Sequence, residues 1–431
     1  MAELPGEPHR ADVEVREPIA CIAHITDLHV TDAQSPARFE FLNRYGDDPR
    51  FRELLTMQRP HEMLNTQAVA AMVRAINAVE RGPVTGRPVD LVAVTGDLVD
   101  NTQRNELTNA LALLGGDTVR PDSGAPGYDG VQRLDWPGDL FWKPDGEPDG
   151  DRFQRALGFP RHPGLLEEAV RPFGSPGLRA PQLRCHGNHE YVCQGVGLVT
   201  PELAEAMTGT RKPIGMPSVV DPDTAVDLFT NHPERFMTGE AREVAADPER
   251  RPIRREELLP EPYDVRDAGR VRFITLDTVR YAGGADGAVD DAQLRWLERR
   301  IDEAGDRDVV VLSHHPSFRI DNGRAVVDVL SRTKVAAWLN GHIHKNRLTR
   351  HDGFWEITTA SIVDWPCQAR LVELFETSDG GVAVATTMLD HDGDGLAALH
   401  RELAGNAWLY FGFDSDSAGT PSDRNTVLCC V

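Results

Sequence analysis

The chain has 431 residues and a formal net charge of −22, from 68 acidic against 46 basic side chains. Such a surface repels nucleic acid and anionic lipid at long range, so long nucleic acids are not expected as partners. No run of about 18 apolar residues is present, which argues against a membrane-spanning helix and hence against a membrane partner.

In chain order, Met1 to Gly6 carries no basic stretch followed by an apolar one, so no signal peptide is visible and a cytoplasmic location is expected. Residues 1–18 are polar and read as a loose segment. Ile22-Ala23-His24-Ile25 is a short buried strand, and Leu91-Val92-Ala93-Val94 is another. Between them, Val69, Met72, Val73, Ile76 and Val79 recur at helical spacing over 66–81, as in a helix packed on a sheet. A second, shorter helix is read over 106–114.

From about 115 to 180 the chain is crowded with Gly, Pro and Asp, with Trp136, Phe141 and Trp142 interleaved. So long a stretch without structure is unusual in a compact domain, so it reads as a folded insertion with its own small core. Pro181-Gln182-Leu183-Arg184-Cys185 is the weakest strand. A second irregular insertion runs from about 194 to 260, with short helices at 201–208 and 223–231. Strands follow at 271–276, 309–312 and 335–339, and Asp290 is placed to cap a helix running to Ala304. Strand-like runs at 355–363, 371–376 and 382–389, then a helix near 395–404, close the pattern. Strands in such series make part of the sheet antiparallel.

Each of five short motifs stands at the end of one of these runs: Asp27-Leu28-His29, Gly96-Asp97, Gly187-Asn188-His189-Glu190, His314-His315-Pro316 and Gly341-His342-Ile343-His344. Ligands of α/β folds gather outside the carboxyl ends of strands. In extended chain, residues i and i+2 point to one side, so Asp27 with His29, and His342 with His344, can aim paired ligands into one cleft. Gly96, Gly187 and Gly341 allow sharp turns and close backbone approach. Carboxylates, imidazoles and one amide in this order suit two metal ions sharing a ligand, a centre that hydrolyses phosphate esters. Asp97 is the natural bridge, and Asn188 offers a neutral carbonyl oxygen. Imidazole with carboxylate favours Mn, Fe, Zn, Co or Ni over Mg or Ca. The surplus positive charge of such a pair would hold a small phosphate ester inside an otherwise anionic protein.

This motif set resembles the calcineurin-like metallophosphoesterase superfamily, with its D-x-H, GD, GNH[DE], H-x-P and GHxH signatures. The resemblance covers residues 20–375 through the motifs. It implies an α/β fold, a four-layer α/β/β/α sandwich of two mixed sheets with irregular insertions. By the same resemblance, Asp27, His29, Asp97 and His344 would hold one metal, and Asp97, Asn188, His314 and His342 the other. The pair would be divalent or mixed-valence, and the hydroxide bridging it would attack phosphorus. His189 would be the general acid protonating the leaving alkoxide, and Asp100 would orient it.

The stretches Leu276-Asp277-Thr278, Gly283 to Gly287, Phe354 to Ile357 and Asp364-Trp365-Pro366 are also similar to an actinobacterial subfamily of long metallophosphoesterases, whose members often carry an export signal. Thr26 and Val30 around the first motif, and Asn101 where an arginine would grip phosphate, depart from the protein Ser/Thr phosphatases of the superfamily. The Asp-x-His and Gly-His-Ile-His motifs are shared with class III cyclic-nucleotide phosphodiesterases, which keeps diesters open as substrates. A non-catalytic scaffold would have eroded ligands, and none is eroded here.

Other features have plainer readings. His24 is a core histidine with its partners met, His315 and Glu190 support the ligands rather than serve as ligands, and Trp365 packs. Asp390 to Gly395 imitates the start of an EF-hand loop, but Arg401 stands where a bidentate glutamate is needed, so a polar turn is expected. The domain is read as 19–390 with its two insertions, followed by a C-terminal helix and tail over 391–431, of which Cys429-Cys430-Val431 reads as frayed. Six cysteines without a CxxC pair suit a reducing compartment.

Overall fold

The computed structural model describes residues 13–258, 261, 263–332, 334–391, 393–411 and 416–430. Twelve strands build two large sheets: β1 (Val15–Ile25), β2 (Leu91–Thr95), β3 (Gln182–Cys185), β4 (Asp264–Ala268), β5 (Val271–Thr275), β6 (Asp308–Leu312), β7 (Val335–Asn340), β8 (Arg347–Arg350), β9 (Trp355–Thr358), β10 (Gln368–Thr377), β11 (Val382–Asp390) and β12 (Thr426–Cys430). One sheet has the order β12-β11-β10-β1-β2-β3 and the other β8-β9-β7-β6-β5-β4. Both are mixed. β1 runs parallel to β2 but antiparallel to β10, and β7 runs parallel to β6 and β9 while β8 is antiparallel to β9.

The layers follow from strand alternation. Ile22, Leu91 and Ala93 face Val310, Leu312 and Leu339 across the space between the sheets. Their neighbours Ala23, Ile25, Val92 and Val94 point outward onto α1 (Asn65–Ala78) and α2 (Arg104–Gly115), through Val69, Met72, Val73 and Leu113. On the far side Ile274, Val311 and Trp338 pack on α3 (Asp291–Asp302) and α4 (Gly323–Leu330). The result is the α/β/β/α sandwich, with both faces of each sheet covered. That is why the central strands are apolar without alternation.

The insertions carry little regular structure but have cores. Trp136 and Phe141 pack with Val131 and Val244, and Trp142 packs with Phe153, Phe159 and Leu165. Asp290 caps α3 by accepting from Gln293 N at 2.7 Å.

Two boundaries differ from the sequence reading. β1 begins at Val15, inside the segment read as loose, because Val15 and Glu17 pair with Thr377 and Glu376; residues 1–12 lie outside the described residues. The tail is not frayed, since Thr426–Cys430 pairs antiparallel with β11 and buries Leu428 between the sheets. The EF-hand-like stretch includes Asp392, outside the described residues. There Asp390 accepts from Arg401 at 2.6 Å and from Gln368 at 2.9 Å. Among the described residues, no helix is long and apolar enough to cross a membrane.

Candidate metal centre

All five motifs leave the carboxyl ends of strands in the parallel parts of the two sheets: Asp27 and His29 after β1, Asp97 after β2, Asn188 after β3, His314 after β6, and His342 and His344 after β7. Main-chain bonds lash the turns together, with Asp27 N to Gly96 O at 3.1 Å, His29 N to Asp97 O at 3.0 Å and Gly341 N to His314 O at 3.0 Å. The packing admits no side chain at two glycines: a Cβ on Gly187 would lie 2.1 Å from Asp97 Oδ1, and one on Gly341 2.3 Å from Asp27 Oδ2.

The backbone here is strained. Asp27, His29, Asp97, His342 and His344 all have positive φ, between 38° and 68°. Each such residue costs about 1–3 kcal/mol and persists only where the surroundings over-determine it. The strain aims the side chains inward.

Six of the seven residues named from the sequence as ligands therefore meet in one cluster, Asp27, His29, Asp97, His314, His342 and His344. His29 Nε2 lies 3.2 Å from His344 Nε2, which lies 3.1 Å from Asp27 Oδ1. Asp97 Oδ2 lies 3.1 Å from His314 Nε2 and 3.8 Å from His29 Nε2, so this one oxygen faces both flanks. His342 Nδ1 lies 3.2 Å from His314 Nε2. The remaining carboxylate oxygens are held elsewhere: Asp27 Oδ2 accepts from Thr26 Oγ1 at 2.6 Å and His342 N at 2.9 Å, and Asp97 Oδ1 accepts from His189 N at 3.0 Å.

The opposite edge of each ring decides what the cluster can hold. His29 Nδ1 meets Asp100 Oδ1 at 3.1 Å, His344 Nδ1 meets Asp364 Oδ2 at 2.6 Å, and His314 Nδ1 meets the Thr95 carbonyl at 2.8 Å. These partners only accept, so each Nδ1 carries a proton and it is Nε2 that faces the cluster, with a free lone pair whenever the ring is neutral. With neutral rings, lone pairs would face lone pairs and carboxylates at 3.1–3.2 Å, so the cluster calls for positive charge among these atoms, as protons or as metal ions.

Protons on two of the rings can supply this charge when no metal ion does. Burial pulls His314 and His344 down, but Asp97 and Asp27 prevail, and their pKa values are pushed up to about 9 and about 10. Burial holds His29 down at about 4, and holds His342 well below the usual range. Asn188 makes the point separately. Its amide nitrogen donates to Gly195 O at 2.8 Å, and its buried Oδ1 has no hydrogen-bond partner among the described residues. That oxygen holds no proton, but it can ligate a metal. The His and Asp groups of this cluster can bind metal ions.

The supporting residues are in part those read from the sequence. Glu190 accepts from Gly187 N at 2.6 Å and Asp97 N at 3.1 Å, tying two ligand turns together. His315 is satisfied by Thr278 Oγ1 at 2.8 Å and Ala285 O at 3.1 Å, and His24 by Thr95 and Thr359. Asp100 differs from expectation in how it acts. It orients His189 through its main-chain carbonyl, 2.5 Å from His189 Nδ1, while its carboxylate serves His29.

Sequence reasoning missed Arg59 and Arg38, and missed the part played by Asp364. Arg59 bonds Asp364 through Nε at 2.8 Å and Asp100 through Nη1 at 3.2 Å, so one guanidinium holds both carboxylates that position His29 and His344. Arg38, fully buried, bonds Asp100 and Glu62. Asp364 stands shortly after a strand, where ligands collect, so position offered a signal. Arg59 lies in an irregular segment that offered none.

No protein-family model and no curated protein matches the chain. Among solved structures it is similar to GAP50, the anchor in the inner membrane complex of Plasmodium, at 10% identity over 94% of this chain and 97% of that one, with a TM-score of 0.32. It is also similar to a candidate 5′-nucleotidase from Staphylococcus aureus, at 10% identity over 90% of this chain and 58% of that one, with a TM-score of 0.34. The phosphopantetheinyl hydrolase of Mycobacterium tuberculosis matches at 12% identity over 81% of this chain and 91% of that one, with a TM-score of 0.26. Likeness at these scores carries no argument about function, which rests on the cluster itself.

Proposed function

We propose that this chain is a hydrolase of small phosphate esters that works with two bound cations. Asp27, His29, Asp97 and His344 would hold one cation, and Asp97, Asn188, His314 and His342 would hold the other. The supporting observation is the convergence of imidazole nitrogens and carboxylates at the strand ends, together with Asn188 Oδ1, which has no hydrogen-bond partner among the described residues. Imidazole–carboxylate sets favour Mn, Fe or Zn. When bound, such cations activate water and neutralise charge on the phosphoryl group.

The chain's own residues supply the rest. The Asp100 carbonyl accepts from His189 Nδ1 and so fixes the ring, leaving Nε2, 4.0 Å from Asp97 Oδ2, as the atom that gives a proton to the departing alkoxide. Proton donation of this kind contributes on the order of 10²–10⁴ in rate. Asp100 and Asp364 keep His29 and His344 in the tautomer that presents Nε2, and increase their basicity as ligands.

The test pairs elemental analysis of reconstituted protein with rates on an aryl phosphate monoester and an aryl phosphate diester, Mn²⁺ added. Two cations per chain with turnover of at least one ester are expected. Protein that binds both cations and hydrolyses neither ester contradicts the hydrolase assignment, and protein that binds none contradicts the whole proposal.

A further inference from the structure

Beside the His342–His344 turn lies a cavity of about 220 Å³, whose walls include Leu55, Ile343, Trp365, Ala404 and Ala407. His342 and His344 belong both to this cavity and to the ligand cluster, so a group attached to phosphorus at the cluster reaches it directly. Its charged members are committed. His344 is held by Asp364, Asp364 by Arg59, and Arg59 in turn holds Asp100, while Lys345 is likewise engaged. The remaining wall is Leu55, Ile343, Trp365, Ala404 and Ala407, interrupted by the polar side chains of Thr56, His61 and Ser417.

Small residues keep the space open. Ala404 and Ala407 project from α5 (Gly395–Phe411), and the Trp365 ring lies so near Gly405 that a Cβ there would stand 3.4 Å from it. An apolar cavity of roughly 150 Å³ takes a benzene ring, so this one suits a single substituted ring or a group of that bulk.

His189 is not part of this wall. It packs edge-on against His29, with ring centroids 4.5 Å apart, and its Nδ1 is fixed on Asp100 O.

We infer that the cavity holds an apolar substituent that stays on phosphorus, and hence that the preferred substrate is a diester-type compound with one compact apolar group. The inference rests on the proposed hydrolase activity and on His189 as the proton donor. In the reaction, the oxygen of water bonds to phosphorus and its proton passes to solvent, from which His189 is later reprotonated, while the P–O bond to the second alcohol breaks. That alcohol departs with the proton from His189, and the bond to the retained group stays intact.

The test uses two substrates with one leaving group, p-nitrophenyl phenylphosphonate and p-nitrophenyl methylphosphonate, on the Mn²⁺-loaded full chain. Calorimetric binding of phenylphosphonate and methylphosphonate gives a readout independent of turnover. At least tenfold higher kcat/KM and tenfold tighter binding are expected for the phenyl compounds. Ala404→Leu should abolish that preference. The comparison within the parent protein stands even if that variant does not fold.

Equal rates and equal affinities for phenyl and methyl compounds would overturn the inference while leaving the hydrolase assignment intact. A monoester, p-nitrophenyl phosphate, turned over faster than the phenyl half-ester would also overturn it. Failure to hydrolyse any of the three by cation-loaded protein would instead overturn the underlying activity.

Discussion

The two flanks of the ligand cluster are built on different principles. On the His29–His344 flank each imidazole leans on a carboxylate, the buried Asp100 or the half-buried Asp364, and these are neutralised by Arg38 and Arg59. On the other flank His314 leans on the neutral Thr95 carbonyl, and the nearby amide Asn188 is neutral too. A carboxylate behind an imidazole makes it a stronger donor to a cation. Buried charge is tolerated only with good pairing, which the two guanidiniums provide. The first flank is therefore built for tight retention, and the second holds its ligands with fewer buried charges.

Replacing the shared residue breaks both flanks together. Asp97→Asn is expected to lose both cations, with hydrolysis falling to background, as elemental analysis and the aryl ester assay will register. His189→Ala separates the two jobs of Asp100. Both cations stay, because the Asp100 carboxylate still serves His29, while turnover of an ester with a poor leaving group drops on the order of 10²–10⁴. A parent-like rate would remove His189 from the mechanism.

Arg59→Met sharpens the contrast further, because it strips the charge balance from one flank only. Calorimetric titration should show one cation bound about 10–100-fold more weakly and the other unchanged. Equal weakening of both would mean that the flanks are not independent.

The smallest effect concerns pH. Glu106 accepts from Asp32 N at 2.9 Å and Asn101 N at 2.7 Å, supporting the turn that carries Asp100. Burial, with the Asp100 charge beside it, pushes its carboxyl up to about 8. A carboxyl raised in the folded state binds more protons there than when unfolded. Stability therefore starts to fall as pH rises past the ordinary value of 4.5 and stops falling near 8. Glu106→Gln should flatten that segment of the stability profile in urea titrations between pH 5 and 8; an unchanged slope would exclude Glu106 as its source.

The strands and the motif residues could be read because their signals are local. An apolar run such as Val309 to Leu312 states its own burial, and a ligand at its end states its direction. The reading of β12 failed for the opposite reason. Thr426–Cys430 is a strand only because β11 lies beside it, a partner more than thirty residues earlier in the chain. Arg59 was hidden in the same way, since its role exists only where Asp100 and Asp364 come together from distant segments. Asp100 itself was found, but sequence could not say that its carbonyl and its carboxylate serve different histidines.

The most direct measurement of the central claim is an anomalous-scattering map of crystals grown from Mn²⁺-reconstituted protein. The account predicts two peaks within the cluster, one in contact with Asn188 Oδ1 and both in contact with Asp97. A map with no peak among these side chains, from protein confirmed to be folded and metal-saturated in solution, would contradict it.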